Sequence, residues 1–373
     1  MAKKRKNKYP SSKYVGYTLL SLIAGLVVGL MGSVGYTLTD VKSDEKKKSS
    51  GFGKIYEDFQ IHFMELGNIY AGDSIYIKAG DNDILIDAGS RPSSKDTIKS
   101  YLNNYVEDGK LEYVIATHAH QDHIASFGCA EGIFYSYDIG TIIDFSLTNS
   151  STSTYNKYVK GKEYAISKGS TYHNALDCIN ENNGAKRVYT LGEDITMEVL
   201  DSRYYVETTK DENDYSVCLL FTCGKNKFLL TGDLEEDGEK YLVELNKDKI
   251  SNCNLFKAGH HGSYTASSET LLEVVKPKIS VCTCVCGSTE YTKNLENVFP
   301  SQKYVDRISK YTDQVFVTSL CSDYEKGEYT SMNGNVIVSS NKVQCAVNCS
   351  SNNTILKDTA WFKENRNCPE AWR

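Results

Sequence analysis

Apolar and polar positions follow the same design in two separate stretches of the chain. In DSIYIKAGDNDILIDAG (73–89) a β-rich run meets a polar turn at 80–82, a second apolar run follows, and the stretch closes on Asp87. In YSVCLLFTCGKNKFLLTGD (215–233) the same order recurs around a turn at 224–226 and closes on Asp233. Apolar runs on either side of a Gly/Asn/Asp turn predict β-hairpins. Each hairpin is followed by a helix-compatible stretch, then by a short strand running into histidines: LEYVIATHAH (111–120) and NLFKAGHH (254–261). Helices are expected within 94–109, 122–135, 152–168, 235–247, 268–275 and 301–309. Two β-rich halves with interleaved helices predict an α/β fold in which two sheets pack face to face under outer helices. Asp87, His118, Asp233, His260 and His261 then fall where strands end, on the rim where rigid sheets carry convergent loops.

The beginning of the chain is of a different character. Residues 1–13 hold six basic side chains and no acid, and an uncharged run follows from Tyr14 to Thr39. Roughly 20 apolar residues cross a bilayer, so 14–39 is expected to be a single transmembrane anchor. It exceeds the roughly 7–15-residue apolar region of a secretory signal, although GSVG at 32–35 leaves cleavage and secretion open. The basic flank should stay cytoplasmic, which places everything beyond residue 39 outside the cell. Residues 40–53 are charged and polar, as in a flexible linker. A main domain is expected over 54–340, with a polar, Cys-bearing extension over 341–373.

Charge narrows the partners. Six of the 42 basic residues lie in the first segment, leaving 36 against 48 acids, a formal −12. Such a domain is a poor trap for nucleic acid unless it carries a local basic groove. The 27 tyrosines are expected mainly as half-buried strand and surface residues. Of the twelve cysteines, 282, 284 and 286 alternate in SVCTCVC and share one face of a strand, as core residues or as a redox or metal cluster. Cys321, Cys345, Cys349 and Cys368 crowd the C-terminal part, where disulfides are expected if the domain lies outside the cell.

The densest chemistry is THAHQDHIAS (117–126), which gathers three of the seven histidines. His118 and His120, two apart on an extended loop, project the same way and can grip one ion. Asp122 and His123 open the next helix and suit a second ion. Imidazole and carboxylate donors together suit Zn²⁺, and Mn²⁺ or Fe is compatible with them. One loop cannot close two shells, so distant groups must contribute. LLTGDLEE offers Asp233 at a strand end, placed to bridge two cations. KAGHHGS offers His260 and His261 between glycines, one to ligate and the other to hydrogen-bond substrate or protonate a leaving group. His62 is expected as a structural strand residue, and nothing in the spacing of His173 ties it to the site.

The ordered motifs LIDAG, THAHQDH, NDYSVCLLF with FLLTGDLE, and KAGHHGS resemble those of metallo-β-lactamase-fold hydrolases. Among these they look closest to the hydrolase domain of competence DNA-uptake channels and to cell-surface phosphorylcholine esterases. The resemblance spans roughly residues 57–340 and implies a four-layer αβ/βα sandwich with a dinuclear centre on its edge. By matching motif, His118 and His120 would hold the first metal, Asp122 and His123 the second. Asp233 would bridge, and His261 would complete the second position. His260 would contact the substrate phosphate, with the roles within the pair reversible, and Asp87 would be structural. Two departures stand out. The family's third histidine for the first metal is missing, and Asp201 in EVLDS stands near its place. The stretch VFPSQ (298–302) lacks the histidine that uptake-channel relatives carry there.

The function expected is hydrolysis of a phosphodiester, phosphorylcholine or another envelope phosphoester, by hydroxide bound to two metals, with Asp122 steering the nucleophile and His260 delivering a proton. The alternatives are an extracellular nuclease of the competence type and a metal-stabilised binding module weakened in catalysis. The sequence is silent on oligomeric state.

Overall fold

A computed structural model describes residues 55–373; the basic segment, the apolar run 14–39 and the linker lie outside the described residues. Among the described residues no helix is long and apolar enough to cross a membrane.

The alternating stretches form strands. In chain order these are β1 (Phe59–Phe63), β2 (Ile75–Ala79), β3 (Asn82–Ile86), β4 (Lys110–Ile115), β5 (Asp138–Asp144), β6 (Thr171–Asn174), β7 (Val188–Gly192) and β8 (Ile195–Val199). There follow β9 (Leu219–Cys223), β10 (Asn226–Leu230), β11 (Leu255–Lys257), β12 (Ile279–Cys286), β13 (Val315–Asp323), β14 (Glu328–Ser331), β15 (Val336–Ser340) and β16 (Cys345–Cys349). One sheet runs β16-β15-β1-β2-β3-β4-β5-β6 and the other β14-β13-β12-β11-β10-β9-β8-β7. Both are mixed. The predicted hairpins β2–β3 and β9–β10 are antiparallel, and from each the sheet continues in parallel through β4–β6 or β11–β13. The result is an α/β sandwich of two mixed eight-stranded sheets.

The sheets meet through aromatic and branched side chains. Phe59 of β1 packs on Phe228 and Phe221 of the opposite sheet, with ring centroids 5.0 and 6.0 Å apart. Ile98, Leu102, Tyr158 and Ala165 from helices Ser94–Leu102 and Ser153–Ser167 are buried with the first sheet. A second core lies beneath helices Glu236–Ile250, Glu269–Val275 and Gln302–Ile308, where Leu242, Leu272 and Ile308 meet Leu229, Phe256 and Val317.

Two expected helices are shorter than their patterns. The first ends at Leu102, not 109, because Asn104 turns its side-chain amide back onto the carbonyls of Ser100 and Tyr101. The span 122–135 breaks into Gln121–Ile124 and Ile133–Ser136. At Gly128 a Cβ would lie 2.1 Å from the Lys157 carbonyl oxygen, so a close crossing, not a continuous helix, occupies the break.

All twelve cysteines are free thiols, which corrects the expectation of C-terminal disulfides. Cys282, Cys284 and Cys286 are buried in the core under the second sheet's helices, as apolar packing residues. Residues 341–373 are integral to the sandwich: β16 pairs with β15, and Phe362 and Trp372 enter the second core. His62 is buried in β1 and bonds Tyr101 Oη at 2.7 Å, while burial lowers its pKa to about 3. His173 sits buried in β6.

Candidate metal centre

Parallel β4 delivers the first ligands. Its backbone leaves the sheet at Ile115, and Thr117 donates from both its amide and its hydroxyl to the Asp87 carboxylate, at 2.8 and 2.7 Å. His118 follows directly. His120 is the N-cap of the short helix that carries Asp122 and His123, so four donors arise within six residues. Chain crossing fixes this loop. Asp73 N bonds Asp122 O at 3.0 Å and Ala88 N bonds His123 O at 2.7 Å. A Cβ on Gly89 would fall 1.4 Å from Asp122 O, so only glycine permits the crossing.

The second sheet supplies the rest. Asp233 follows β10, with its amide donating to Ser216 Oγ at 3.1 Å. His260 and His261 follow β11 with φ of 45° and 57°, a left-handed pair that directs two imidazoles from one tight turn. Asp122, His123, Asp233 and His261 converge, their ligand atoms all within 4.8 Å of one another. Asp233 Oδ2 lies 3.1 Å from His123 Nε2 and 3.2 Å from His261 Nε2. Beside this quartet His118 Nε2 faces His120 Nδ1 at 3.1 Å. His260 stands at the rim, one fifth exposed, with Nδ1 2.9 Å from Glu235 Oε1 and Nε2 3.8 Å from Asp233 Oδ2.

Asp87 and Asp201 take other places. Asp87 backs the quartet through His123 Nδ1 at 2.7 Å. The backbone amide and carbonyl of Asp201 are held by the Asn246 side chain of helix Glu236–Ile250, at 3.2 and 2.8 Å.

Several residues were not singled out from the sequence. Asp73 Oδ1 lies 3.3 Å from His261 Nδ1, and the Lys257 ammonium, itself buried, is 2.9 Å from Asp73 Oδ2 and 3.5 Å from Asp233 Oδ1. Glu212 accepts from Ala119 N at 3.3 Å and Asn149 N at 2.7 Å, tying down the histidine loop. Tyr291 donates to Asp122 Oδ2 at 2.8 Å, and Phe299 packs on His260 and His261, so the stretch without a histidine supplies an aromatic wall. Asp73 and Lys257 stand in the quoted DSIYI and FKAGHH motifs, the only local signal they give.

The charges are tightly coupled. Burial alone would push His123 and His261 down. Asp233, with Asp87 for the first and Asp73 for the second, outweighs it and holds both well above the ordinary histidine range. Burial and the neighbouring His123 hold His118 well below it, a neutral nitrogen donor.

The donor set suits a divalent cation. His261 Nδ1 and Nε2, Asp233 Oδ1 and Asp73 Oδ2 are buried without a hydrogen-bond partner despite their close ion-pair neighbours. Of these, His261 Nε2 faces the quartet, 3.2 Å from Asp233 Oδ2 and 3.6 Å from Asp122 Oδ2, and a buried imidazole nitrogen among carboxylate oxygens is what a Zn²⁺-class ion satisfies.

A family model described as the metallo-beta-lactamase superfamily matches residues 67–128 and 185–286. Recombination protein 2 of Haemophilus influenzae is 30% identical over 112 residues, which cover 30% of this chain and 13% of that protein. ComE operon protein 3 of Bacillus subtilis is 24% identical over 218 residues, covering 56% of this chain and 24% of that one. The chain thus spans a quarter or less of the length of these curated relatives. Among solved structures, the fold protein YhfI from Bacillus subtilis aligns at 13% identity and a TM-score of 0.40, over 73% of this chain and 99% of that one.

Proposed function

Starting from a chain with the metallo-β-lactamase fold, we propose that it is a metal-dependent hydrolase whose substrate is a phosphodiester, phosphorylcholine or another envelope phosphoester. The observation that carries this is the convergence of Asp122, His123, Asp233 and His261 beside the His118–His120 pair at the carboxyl ends of parallel strands. Cations held there supply Lewis acidity toward the scissile group and acidify water near neutral pH.

The chain's own groups do the rest. Glu235 accepts from His260 Nδ1, which orients the ring and leaves Nε2 beside Asp233, open toward solvent for a phosphoryl or leaving-group oxygen. Tyr291 and Phe299 wall the same opening and exclude water from one side. Thr117 and Asp87 hold the histidine loop in register without reaching substrate.

The surroundings favour a small ester over a nucleic acid. A cleft beside Glu235 is lined by Asp211, Asp214, Glu236 and Asp237, against Lys210 and Lys303. A polyanion meets net repulsion there. The second reading, an extracellular nuclease, is favoured by one relative's name, a recombination protein. The uncharged run 14–39 behind a basic segment supports an anchored domain facing outward.

The test offers the purified chain, loaded with Zn²⁺ or Mn²⁺, nitrophenyl phosphorylcholine, a bis-aryl phosphodiester, single-stranded DNA and a chromogenic β-lactam. Turnover of the first two is expected. Cleavage of DNA alone would establish the nuclease, and tight ligand binding without any turnover would establish a binding module.

A further inference from the structure

The two halves of the centre are built unequally. The quartet Asp122, His123, Asp233 and His261 offers four donors, all buried. Both of its imidazoles are backed by carboxylates on the ring nitrogen that faces away: His123 Nδ1 by Asp87 at 2.7 Å and His261 Nδ1 by Asp73 at 3.3 Å. Asp73 is itself fixed by the Thr283 hydroxyl, by the Lys257 ammonium at 2.9 Å and by its backbone bond to Asp122. Such carboxylate–histidine pairs hold ring orientation and raise ligand basicity, and losing one typically costs about 10–100-fold in metal affinity.

The other position has two nitrogens of its own, His118 Nε2 and His120 Nδ1. The far nitrogen of His118 faces only hydroxyls, Thr117 Oγ1 at 3.2 Å and Ser216 Oγ at 3.5 Å. His120 is partly exposed at a helix N-cap. Asp201, the one carboxylate in the place of a third ligand by sequence, is not among the four groups that converge in the quartet, and its backbone is tied to Asn246. Asp233 remains as the donor to be shared.

We propose that the centre fills in order: the quartet binds one divalent cation first and tightly, and the His118–His120 position binds a second one loosely. A one-metal form is then a defined species when metal is limiting. Asp73 acts as a positioning residue for the tight position, through His261. The inference rests on the metal-centre reading above and adds the inequality and its cause.

The test titrates the metal-stripped full-length chain with Co²⁺, followed by visible absorption, and with Zn²⁺ by equilibrium dialysis. Two equivalents are expected, with dissociation constants at least about tenfold apart. His120→Ala, at a partly exposed site, should remove the weaker equivalent and leave the tighter one. His261→Ala should remove the tighter one. Asp73→Asn should weaken the tighter one by about 10–100-fold with the weaker one unchanged. Two equivalents of equal affinity, or loss of the tighter one in His120→Ala, would overturn the ordering. A folded chain that binds neither ion would overturn the metal centre itself.

Discussion

Asp87 and His123 form a buried pair, 2.7 Å from carboxylate Oδ2 to ring Nδ1, and both side chains are fully shielded from solvent. The same carboxylate takes two hydrogen bonds from Thr117, so one aspartate sets the loop that carries His118 and the ring plane of His123. Asp87→Ala would leave Thr117 N, Thr117 Oγ1 and His123 Nδ1 without that acceptor. A loss of about 3–5 kcal/mol in stability is expected, as for breaking a buried charged pair. Urea denaturation of the metal-free chain measures it, and a change under about 1 kcal/mol would contradict the role given to Asp87.

Gly89→Ala places a methyl group inside the Asp122 carbonyl. The crossing of 87–90 over 122–123 cannot relax without moving two ligands. The variant should therefore lose more than about 4 kcal/mol and most of its metal binding. Thermal melting with and without Zn²⁺ reads both, and a parent-like melting point with full metal content would refute the crossing.

Glu239 sets a pH dependence behind the turn that carries His260 and His261, where its Oε1 lies against Gly259. It is fully buried and accepts from Ser267 N and Ser268 N at 2.6 and 2.7 Å, yet burial outweighs these bonds and pushes its pKa up to about 7 from 4.5. Between these values the unfolded chain releases a proton that the folded chain keeps. Stability from this group is therefore complete below about pH 4.5, falls by roughly 3 kcal/mol as pH rises to 7, and is flat above. In Glu239→Gln that decline should disappear. Denaturation midpoints from pH 4.5 to 8 decide, and identical slopes in the two proteins would exclude it.

Arg366 links the C-terminal part to the mouth of the site. Its guanidinium donates to the carbonyls of Pro300, Leu295 and Val298, at 3.0, 3.0 and 2.8 Å. Val298 and Pro300 flank Phe299, which packs on His260 and His261. Arg366→Ala should cost about 2–3 kcal/mol in stability, since it leaves carbonyls unpaired. It should also raise KM more than it lowers kcat. An unchanged KM on nitrophenyl phosphorylcholine would separate the tail from the site.

How far the sequence reached follows from how each feature is encoded. The hairpins and the cluster from His118 to His123 are local: period-two alternation, turn residues and ligand spacing all lie within a few positions. Asp73 and Lys257 act across the sheets, through partners at positions 261 and 233, and no local pattern separates them from ordinary strand-end residues. The backbone of Asp201 is held by an asparagine 45 residues further on, a partner that no local pattern around EVLDS announces. The C-terminal part looked like an appendage because its alternation is weak and polar, while its packing rests on a few widely spaced residues such as Phe362 and Trp372. The thiols were ambiguous for a related reason: a buried cysteine and a paired one share the same neighbours in sequence.

Two of the four convergent ligands, Asp122 and His123, follow a strand of one sheet, and the other two, Asp233 and His261, follow strands of the other. An ion gripped by all four would clasp the halves of the sandwich at one end, in a chain whose twelve thiols form no covalent staple. Any sliding of one sheet over the other would pull the donor set apart, so the affinity for metal becomes a gauge of how the two halves are seated. Mutations deep between the sheets, remote from every ligand, would then register first as a change in metal retention.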